Sequence, residues 1–396
     1  MIFVGFKVSR DSGLVVMEDG KEFGAVVRVN HIRYPTMRLL QFFLMFIVFG
    51  LGVSIISMNT IRYFRVQSAA PVVSSVNIIQ PRLEEPSGID SWIRAPSNLL
   101  HSMSDQELLW RASFVPQVKE YPFKRVRKIA FMFLTKGPLP MAPLWQRFFK
   151  GHEGLYSIYV HTTPSYIADF PSSSVFYGRQ IPSQVAEWGE MNMCDAERRL
   201  VANALLDISN EWFILLSESC IPLHSFTTVY RYIARSRYSF VDSFDEQGPY
   251  GRGRYNRNMA PEINLTDWRK GYQWFEVNRE LAVQIVKDTK YYPLFKEFCR
   301  PACYVDEHYF QTMLSMESSN LLANRSLTFV DWSRGGAHPA TFGKYDITEE
   351  FFKKIFEGKT CLYNDQPSSL CFLFARKFAP SALDRLLEVA EKVMGF

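Results

Sequence analysis

The most extended hydrophobic feature of the chain is an uninterrupted apolar segment near its N-terminus. Residues 39–61 contain no Asp, Glu, Lys, Arg or His and are rich in Phe, Leu, Ile and Val. About 20 apolar residues are enough for a helix to cross the hydrocarbon core of a bilayer, whereas an amphipathic helix in a globular core would carry a polar face. The pattern therefore predicts a transmembrane signal anchor over 39–61.

Basic residues are more frequent before this segment than after it. The nearest ones are Lys21, Arg28, His31, Arg33 and Arg38 on the N-terminal side, and Arg62 and Arg65 on the C-terminal side. Positive charge favours the cytosolic side of a membrane. We therefore expect residues 1–38 to be a cytosolic tail and the bulk of a single-pass type II protein to be luminal. Met37 could equally be an alternative start.

Prolines recur in the region that follows the predicted anchor. Runs of Ser and Val are separated by Pro71, Pro81, Pro86, Pro96 and Pro116. This composition is typical of an extended tether, so we predict a luminal stem over 62–123 and a globular domain over 124–396. Within the stem, Ser104 and Glu107 have the spacing of a capping box and predict one short helix that ends near Ser113.

Beyond the stem, short apolar runs alternate with segments of helical periodicity. The predicted strands cover 127–134, 155–160, 212–216, 239–244, 327–332 and 370–374, and the predicted helices cover 144–149, 194–208, 226–233 and 279–287. Strand, helix, strand order is typical of right-handed crossover units in a parallel sheet. The pattern predicts an α/β domain with doubly wound architecture.

Polar residues follow two of these strands directly. Ser217, Glu218 and Ser219 come straight after the run at 212–216. In open α/β sheets the ligand crevice lies outside the carboxyl ends of the strands, so Glu218 is a candidate to hold a substrate, with capping of the next helix as its alternative role. Lys136 follows the first strand and could meet a phosphate there, although a single lysine is more commonly a surface residue.

Later segments carry further candidate chemistry. Arg376 and Lys377 are adjacent cations at a strand end and suit a diphosphate, with solvated surface charge as the alternative. Glu307 lies near a helix start and could be a general base, while Asp306 is placed to cap that helix. Trp274 could cover the apolar face of a sugar ring or pack in the core.

The loop from Gln247 to Arg257 contains three arginines and three glycines. Its glycines do not match a dinucleotide-binding fingerprint, because no strand and helix frame them. The composition favours a lid on the acceptor side over a simple solvated loop.

The overall composition excludes other classes of function. The net charge of +5 arises from 45 basic and 40 acidic residues that are spread along the chain. We find no basic cluster with interleaved aromatic residues, so we expect no nucleic-acid partner. With 47% hydrophobic residues the chain can bury a large core, and disorder is not expected.

All six cysteines lie beyond the predicted anchor, at positions 194, 220, 299, 303, 361 and 371. An even number in a luminal domain predicts disulfides, with the pairing left open. A zinc site at Cys299 and Cys303 is the less favoured alternative, because no second pair matches it. Asn264 and Asn324 begin glycosylation sequons and predict N-linked glycans in the lumen.

Several of these segments, taken in order, resemble the core-2/I-branching N-acetylglucosaminyltransferase family, and more closely its plant branch of type II Golgi proteins. The resemblance spans roughly 127–387. It rests on the segments Ile129–Thr135, Trp212–Leu223, Gln273–Phe275, Asp306–Phe310, Val330–Pro339 and Phe374–Phe378.

This resemblance implies a GT-A-like fold and an inverting transfer of N-acetylglucosamine or glucuronate from a UDP-sugar to a glycan or glycoprotein acceptor in the Golgi. Glu307 matches the family base and Lys377 the family lysine that neutralises the diphosphate. The first-strand donor contact matches Leu134, Thr135 and Lys136, and Trp332 matches the aromatic residue on the acceptor side. Arg334 and Arg376 are both candidates for the partner arginine at the diphosphate.

The chain contains no Asp-x-Asp triplet, so the resemblance implies that fixed cations replace a metal ion and that no cofactor is needed. One departure is His161, which stands where the animal enzymes carry an Asp. A non-catalytic type II carbohydrate-binding or scaffold protein is the alternative function. A glycosidase, with Glu218 and Glu307 as opposed carboxylates, would leave Lys377 unexplained.

Overall fold

The computed structural model of the protein describes residues 36–67, 95–96, 98–116, 120–300 and 303–396. Residues 1–35 of the predicted cytosolic tail, and stem residues 68–94, 97 and 117–119, lie outside the described residues. The chain divides into two compact units, Met1–Leu83 and Glu84–Phe396. In the first unit, helix α1 spans Thr36–Gln67, and its segment Gln41–Met58 is long and apolar enough to cross a membrane.

The second unit is a mixed α/β structure. Its strands are β1 (Lys128–Leu134), β2 (Tyr156–His161), β3 (Asn210–Ser217), β4 (Ile221–Pro222), β5 (Glu276–Asn278), β6 (Thr328–Val330), β7 (Cys361–Tyr363), β8 (Gln366–Ser368) and β9 (Phe374–Arg376). Its helices are α2 (Asp105–Ser113), α3 (Ala142–Phe149), α4 (Met191–Leu205), α5 (Phe226–Ala234), α6 (Arg279–Lys287), α7 (Tyr292–Phe298), α8 (Tyr309–Ser318), α9 (Glu349–Phe356) and α10 (Leu383–Val389).

The main sheet has the strand order β2-β1-β3-β5. Strand β1 is parallel to β2 and to β3, whereas β5 joins β3 in the antiparallel direction. Side chains of β1 alternate between two hydrophobic clusters, with Ile129, Phe131 and Phe133 in one and the residues between them in the other. A parallel sheet buried on both faces confirms the predicted α/β class; the GT-A-like winding stays a prediction.

A second sheet positions the late part of the chain. Its order is β4-β9-β6, with β9 parallel to β6 and antiparallel to β4. The amide of Phe378 donates to the carbonyl of Ser219 at 2.9 Å. The carboxyl end of β9 is therefore fixed beside the turn that follows β3, which brings two segments of distant sequence to one place.

The predicted helix within the stem is confirmed as α2. Ser104 and Glu107 form the capping box, and Leu108 and Ala112 are buried. Arg199 of α4 donates from Nε to Asp105 at 2.6 Å, which ties α2 to the main body. The stem boundary near residue 123 stays a prediction, but this helix packs as part of the second unit.

The predicted strand over 239–244 is wrong. Only isolated bridges form there, from Ser239 to Leu322, from Phe240 to Glu276 and from Phe244 to Lys270. The ladder is interrupted because the Ser243 amide donates to the side chain of Asn324 at 2.9 Å instead of to a neighbouring strand. Polar side chains that compete for backbone groups in this way are not visible in an apolar pattern.

The prediction of disulfides is confirmed for four of the six cysteines. Two disulfides join Cys299 to Cys303 and Cys361 to Cys371, which contradicts a zinc site at the first pair. Cys194 and Cys220 are free and buried. They belong to the two hydrophobic clusters on opposite faces of β1, so the sheet separates them.

Candidate active site

A cavity of about 380 Å³ opens at the carboxyl ends of β1 and β3. These ends lie side by side because Leu134 pairs with Ser217 in the parallel ladder. The crevice outside the carboxyl ends of parallel strands is the usual ligand site of such sheets, and the volume is within the range of small-molecule pockets. The position predicted for Glu218 and Lys136 is therefore a real cavity.

Every predicted catalytic, donor and acceptor residue except one lines this cavity. The lining ones are Leu134, Thr135, Lys136, Glu218, Trp274, Glu307, Trp332, Arg376 and Lys377. Arg334 does not line it. Its guanidinium lies 3.6 Å from Asp346 with most of its side chain in solvent. Of the two candidate arginines for a diphosphate, the cavity contains Arg376.

One group of residues in the cavity is cationic. Among the described residues, Lys136, Arg376 and Lys377 form no salt bridge. Burial lowers the pKa of the Arg376 guanidinium, and burial together with the charge of Arg376 lowers the pKa of Lys377. The charge of Glu218 acts on both groups from the same cavity, but no described carboxylate forms a salt bridge with them, and a desolvated cation favours an incoming anion. This part of the cavity can therefore hold a diphosphate.

Trp274 supports this cationic group. The Arg376 guanidinium lies 4.0 Å from the centroid of its ring, and Trp274 itself is only 5% exposed. A cation over an aromatic face is attracted by the ring quadrupole. One face of Trp274 is thus occupied by Arg376, which fits positioning of the arginine better than stacking of an acceptor sugar.

A second group surrounds Glu307. A short 3₁₀ turn, Val305–Glu307, leads into α8 and points this carboxylate at the cavity. Lys270 Nζ lies 2.5 Å from Glu307 Oε2, and Arg254 Nη1 lies 2.9 Å from the same oxygen. Among the described residues, both side-chain hydrogen bonds of Glu307 go to Oε2, and Oε1 has none.

The neighbour of this carboxylate, Asp306, does not cap α8. Its side chain is buried, and it lines the cavity. Burial, followed by the nearby charge of Glu307, raises the pKa of Asp306 to about 7. Burial also raises the pKa of Glu197, and the charge of Asp306 adds to that shift. Asp306 and Glu197 therefore form a buried pair of carboxyl groups at the wall of the cavity.

The arginine-rich loop contributes directly to the site. Arg254 reaches Glu307, while Arg252 pairs with Asp245 at the loop base. The indole of Trp268 donates to the carbonyl of Gly251 at 3.0 Å and anchors the loop. The prediction of a loop on the acceptor side did not identify which arginine contacts Glu307, and Lys270 was missed because no pattern marks it.

Aromatic residues surround the rest of the cavity. Trp332 is 39% exposed, and its side chain hydrogen-bonds to that of Tyr272. Burial, followed by the charge of Asp242, raises the pKa of Tyr272. Trp188 and His338 also line the cavity, and neither was singled out from the sequence, because each lies in an irregular segment without periodicity.

The residue that departs from the family pattern, His161, lies outside the cavity lining. Its ring nitrogen Nε2 is 2.9 Å from Arg199 Nη1. Burial and the charge of Arg199 lower the pKa of His161 to about 3. A neutral, buried ring in this environment supports the packing of α4 on the sheet.

Within the part of the chain that the structure describes, no cluster of three or more His, Cys, Asp or Glu side chains could hold a metal ion. The two sequon asparagines, Asn264 and Asn324, are both exposed at the surface of the second unit. An exposed side chain is what N-linked glycosylation requires.

Comparison with known proteins adds two findings. The model of the core-2/I-branching enzyme family matches residues 129–356. The chain is also similar to glycosyltransferase BC10 of rice, Oryza sativa subsp. japonica, at 37% identity over 309 residues, which covers 66% of this chain and 76% of the rice protein. The range matched by the family model contains Glu307, whereas Arg376 and Lys377 lie beyond it.

Proposed function

The chain belongs to the core-2/I-branching enzyme family and is a glycosyltransferase, and from this premise we propose a specific reaction. The protein moves a sugar from a UDP-sugar to a glycan or glycoprotein acceptor with inversion at the anomeric carbon. N-acetylglucosamine and glucuronate are the candidate sugars. The domain that does this has a GT-A-like arrangement, for which the parallel sheet and the cavity at its carboxyl edge are the support.

A single observation supports the proposal most strongly: one cavity contains both a carboxylate with a free oxygen and a group of unpaired cations. Glu307 presents Oε1, while Lys136, Arg376 and Lys377 supply positive charge. Inverting transfer needs a base for the acceptor hydroxyl and a counter-charge for the leaving nucleotide. Both needs are met by side chains of this chain.

In the proposed reaction, Glu307 Oε1 takes the proton of the acceptor hydroxyl as its oxygen attacks the anomeric carbon. The new glycosidic bond forms on the face opposite the diphosphate. The bond between the anomeric carbon and the diphosphate oxygen breaks, and UDP leaves with its electron pair. Arg254 and Lys270 hold Oε2 and so orient the carboxylate. Arg376 and Lys377 stabilise the negative charge that develops on the diphosphate oxygens.

We further propose that the reaction needs no metal ion or other cofactor. Three cations in the cavity can meet the charge of a diphosphate, which is the role of a divalent ion in other transferases. Fixed side chains give this stabilisation without reorganisation during the reaction. This part of the proposal can be tested by chelation.

The cellular setting follows from the same premise. We propose a Golgi membrane protein with a cytosolic N-terminus, anchored by α1, and with its catalytic unit in the lumen. Within the described part of the chain, one apolar helix of membrane-spanning length, two disulfides and the exposed Asn264 and Asn324 support this location.

The test is a donor screen on the full-length protein in detergent, with EDTA present. Release of UDP from one UDP-sugar in EDTA, lost in Glu307→Gln, is the expected result. Glu357→Gln is the matched control, because this carboxylate is 65% exposed and, among the residues that the structure describes, its one salt bridge is with Lys353 on the surface. Activity that disappears in EDTA and returns with manganese would contradict the metal-independent reaction.

A further inference from the structure

A chain of aromatic contacts, which we call the stack, leads from the lining of the cavity toward Glu307. The ring of His338 lies 5.0 Å from that of Trp188, which lies 4.7 Å from that of Tyr304, and the neighbouring rings are tilted by 47° and 58°. The Arg254 guanidinium lies 4.2 Å from the centroid of Tyr304. Because Arg254 also holds Glu307, the stack joins the edge of the cavity to the proposed base.

The backbone at the centre of this stack is unusually constrained. Tyr304 has a left-handed conformation with φ of 57°, which is uncommon for a bulky residue. Gly189 has φ of 82°, and a Cβ at this position would lie 3.0 Å from Tyr304 Cδ1. The turn that carries Trp188 is therefore fitted closely to Tyr304, and such conformations are concentrated at binding sites.

Trp188 keeps much of its indole in solvent despite these contacts. It is 47% exposed and lines the cavity. Trp110 offers a contrast, since it is 65% exposed but lies on α2 against Phe114, away from the cavity lining. An exposed tryptophan held rigidly at a cavity mouth is suited to bind the apolar face of a ring.

The positions of the two charged groups of the cavity indicate which substrate binds at the exposed indole of Trp188. A donor diphosphate would bind at Lys136, Arg376 and Lys377, whereas the acceptor hydroxyl must approach Glu307. The stack ends at Glu307 through Arg254, and none of its members is one of the three cations. The exposed indole therefore faces the acceptor side of the reaction.

We propose that Trp188, backed by Tyr304 and flanked by His338, is an acceptor subsite that binds a pyranose ring of the glycan by stacking. The inference rests on the proposed function. It adds how the acceptor, which the proposed function leaves unspecified, is bound. The ring that stacks is taken as a neutral sugar of the acceptor, because the ring neighbours of Trp188 in the stack are aromatic and offer ring faces to a sugar.

The test measures binding of sugars without turnover. Saturation-transfer NMR is recorded on the full-length protein with UDP present and with the methyl β-glycosides of galactose, xylose and glucose as probes. We expect transfer to the axial ring protons of at least one probe. Trp188→Ala should reduce it about fivefold or more, whereas Trp188→Phe should keep about half of it because an aromatic face remains.

Trp110→Ala is the matched control and should leave the signal unchanged. Absence of transfer from every probe, or an unchanged signal in Trp188→Ala, would overturn the subsite. Calorimetry with UDP on the same variants separates this failure from failure of the proposed function. UDP binding that persists while no glycoside binds contradicts only the subsite, whereas loss of both contradicts the donor proposal as well.

Discussion

The two charged groups of the cavity differ in how they are held. Glu307 has two ion-pair partners, Lys270 and Arg254, and its carbonyl accepts from the Gly271 amide at 2.9 Å. The cations of the other group have no salt bridge among the described residues, and the Nε atom of buried Arg376 has no hydrogen-bond partner there. The ion-pair partners of Glu307 belong to the protein itself, whereas in the proposed reaction the cations receive their counter-charge from the donor diphosphate.

This difference separates binding from chemistry. A residue of the preorganised group should affect the chemical step, because its geometry is already set when the donor arrives. A residue of the uncompensated group should affect both donor affinity and the chemical step, because it interacts with the diphosphate before and after the bond breaks. The variants below test that division.

The largest effect is expected from Glu307→Gln. Loss of a general base costs typically about a thousandfold in kcat, and the amide keeps the size of the side chain. UDP affinity should stay within about twofold, because the diphosphate does not contact this group. Steady-state kinetics and calorimetry measure the two quantities. A large loss of UDP affinity in this variant would show that the two groups are not separate.

Gly271→Ala tests the rigidity of the preorganised group. A Cβ at this position would overlap the carbonyl oxygen of Asp242 and crowd Gln311. We expect a destabilisation of about 2–4 kcal/mol, since backbone must shift to make room. Thermal unfolding of the full chain measures it, with Gly253→Ala as the control because the nearest atom there is 3.4 Å away. Equal melting temperatures for the two variants would contradict this close approach.

Lys377→Ala tests the uncompensated group. We expect UDP affinity to fall about tenfold to thirtyfold, because one charge-assisted contact to the diphosphate is lost. Raising the salt concentration should weaken UDP binding to wild type more than to this variant. Unchanged UDP affinity in Lys377→Ala would remove the lysine from the donor site.

The smallest effect concerns the buried carboxyl groups. Burial and the charge of Glu307 raise the pKa of Asp306 to about 7, and burial raises the pKa of Glu276 to about 8. Both values lie above those of the unfolded chain, so the folded state binds more protons. The contribution of these two groups to the free energy of unfolding should therefore be greatest below about pH 4. It should be lost as the pH rises through 7 and 8.

The variant that isolates this effect is Asp306→Asn, which should reduce the loss of stability between pH 5 and pH 8 by about 1 kcal/mol. Melting temperatures recorded across that range provide the measurement. Parallel pH profiles for wild type and variant would mean that Asp306 does not hold a proton in the folded state.

The sequence predicted the strand-end residues better than the loop residues. Glu218 and Lys136 follow apolar runs, and the ends of parallel strands meet at one edge whatever the details of the fold. Arg376 and Lys377 were also recognised as adjacent cations at a strand end, the family resemblance added the role of Lys377, and β9 brings both to the same edge. These placements depend on where each strand ends along the chain, which an apolar pattern indicates.

The loop arginines show why the loop residues of the site could not be predicted from the sequence. Arg254 contacts Glu307, which lines the cavity, while Arg334 turns toward Asp346. Both arginines lie beside glycines in segments without periodicity. Their directions depend on contacts made by the folded loop, such as the hydrogen bond from Trp268 to Gly251. The unpaired cysteines could not be predicted for a similar reason. Cys194 and Cys220 lie in the clusters on opposite faces of the sheet, which becomes visible only in the folded structure.

The most direct test of a metal-independent site with two separate charged groups is calorimetric titration of UDP in EDTA. It compares the full-length wild type with Lys377→Ala and Glu307→Gln. The account predicts that wild type and Glu307→Gln bind UDP with equal affinity in EDTA, and that Lys377→Ala binds it at least about tenfold more weakly. UDP binding that requires manganese and is indifferent to Lys377→Ala would contradict it.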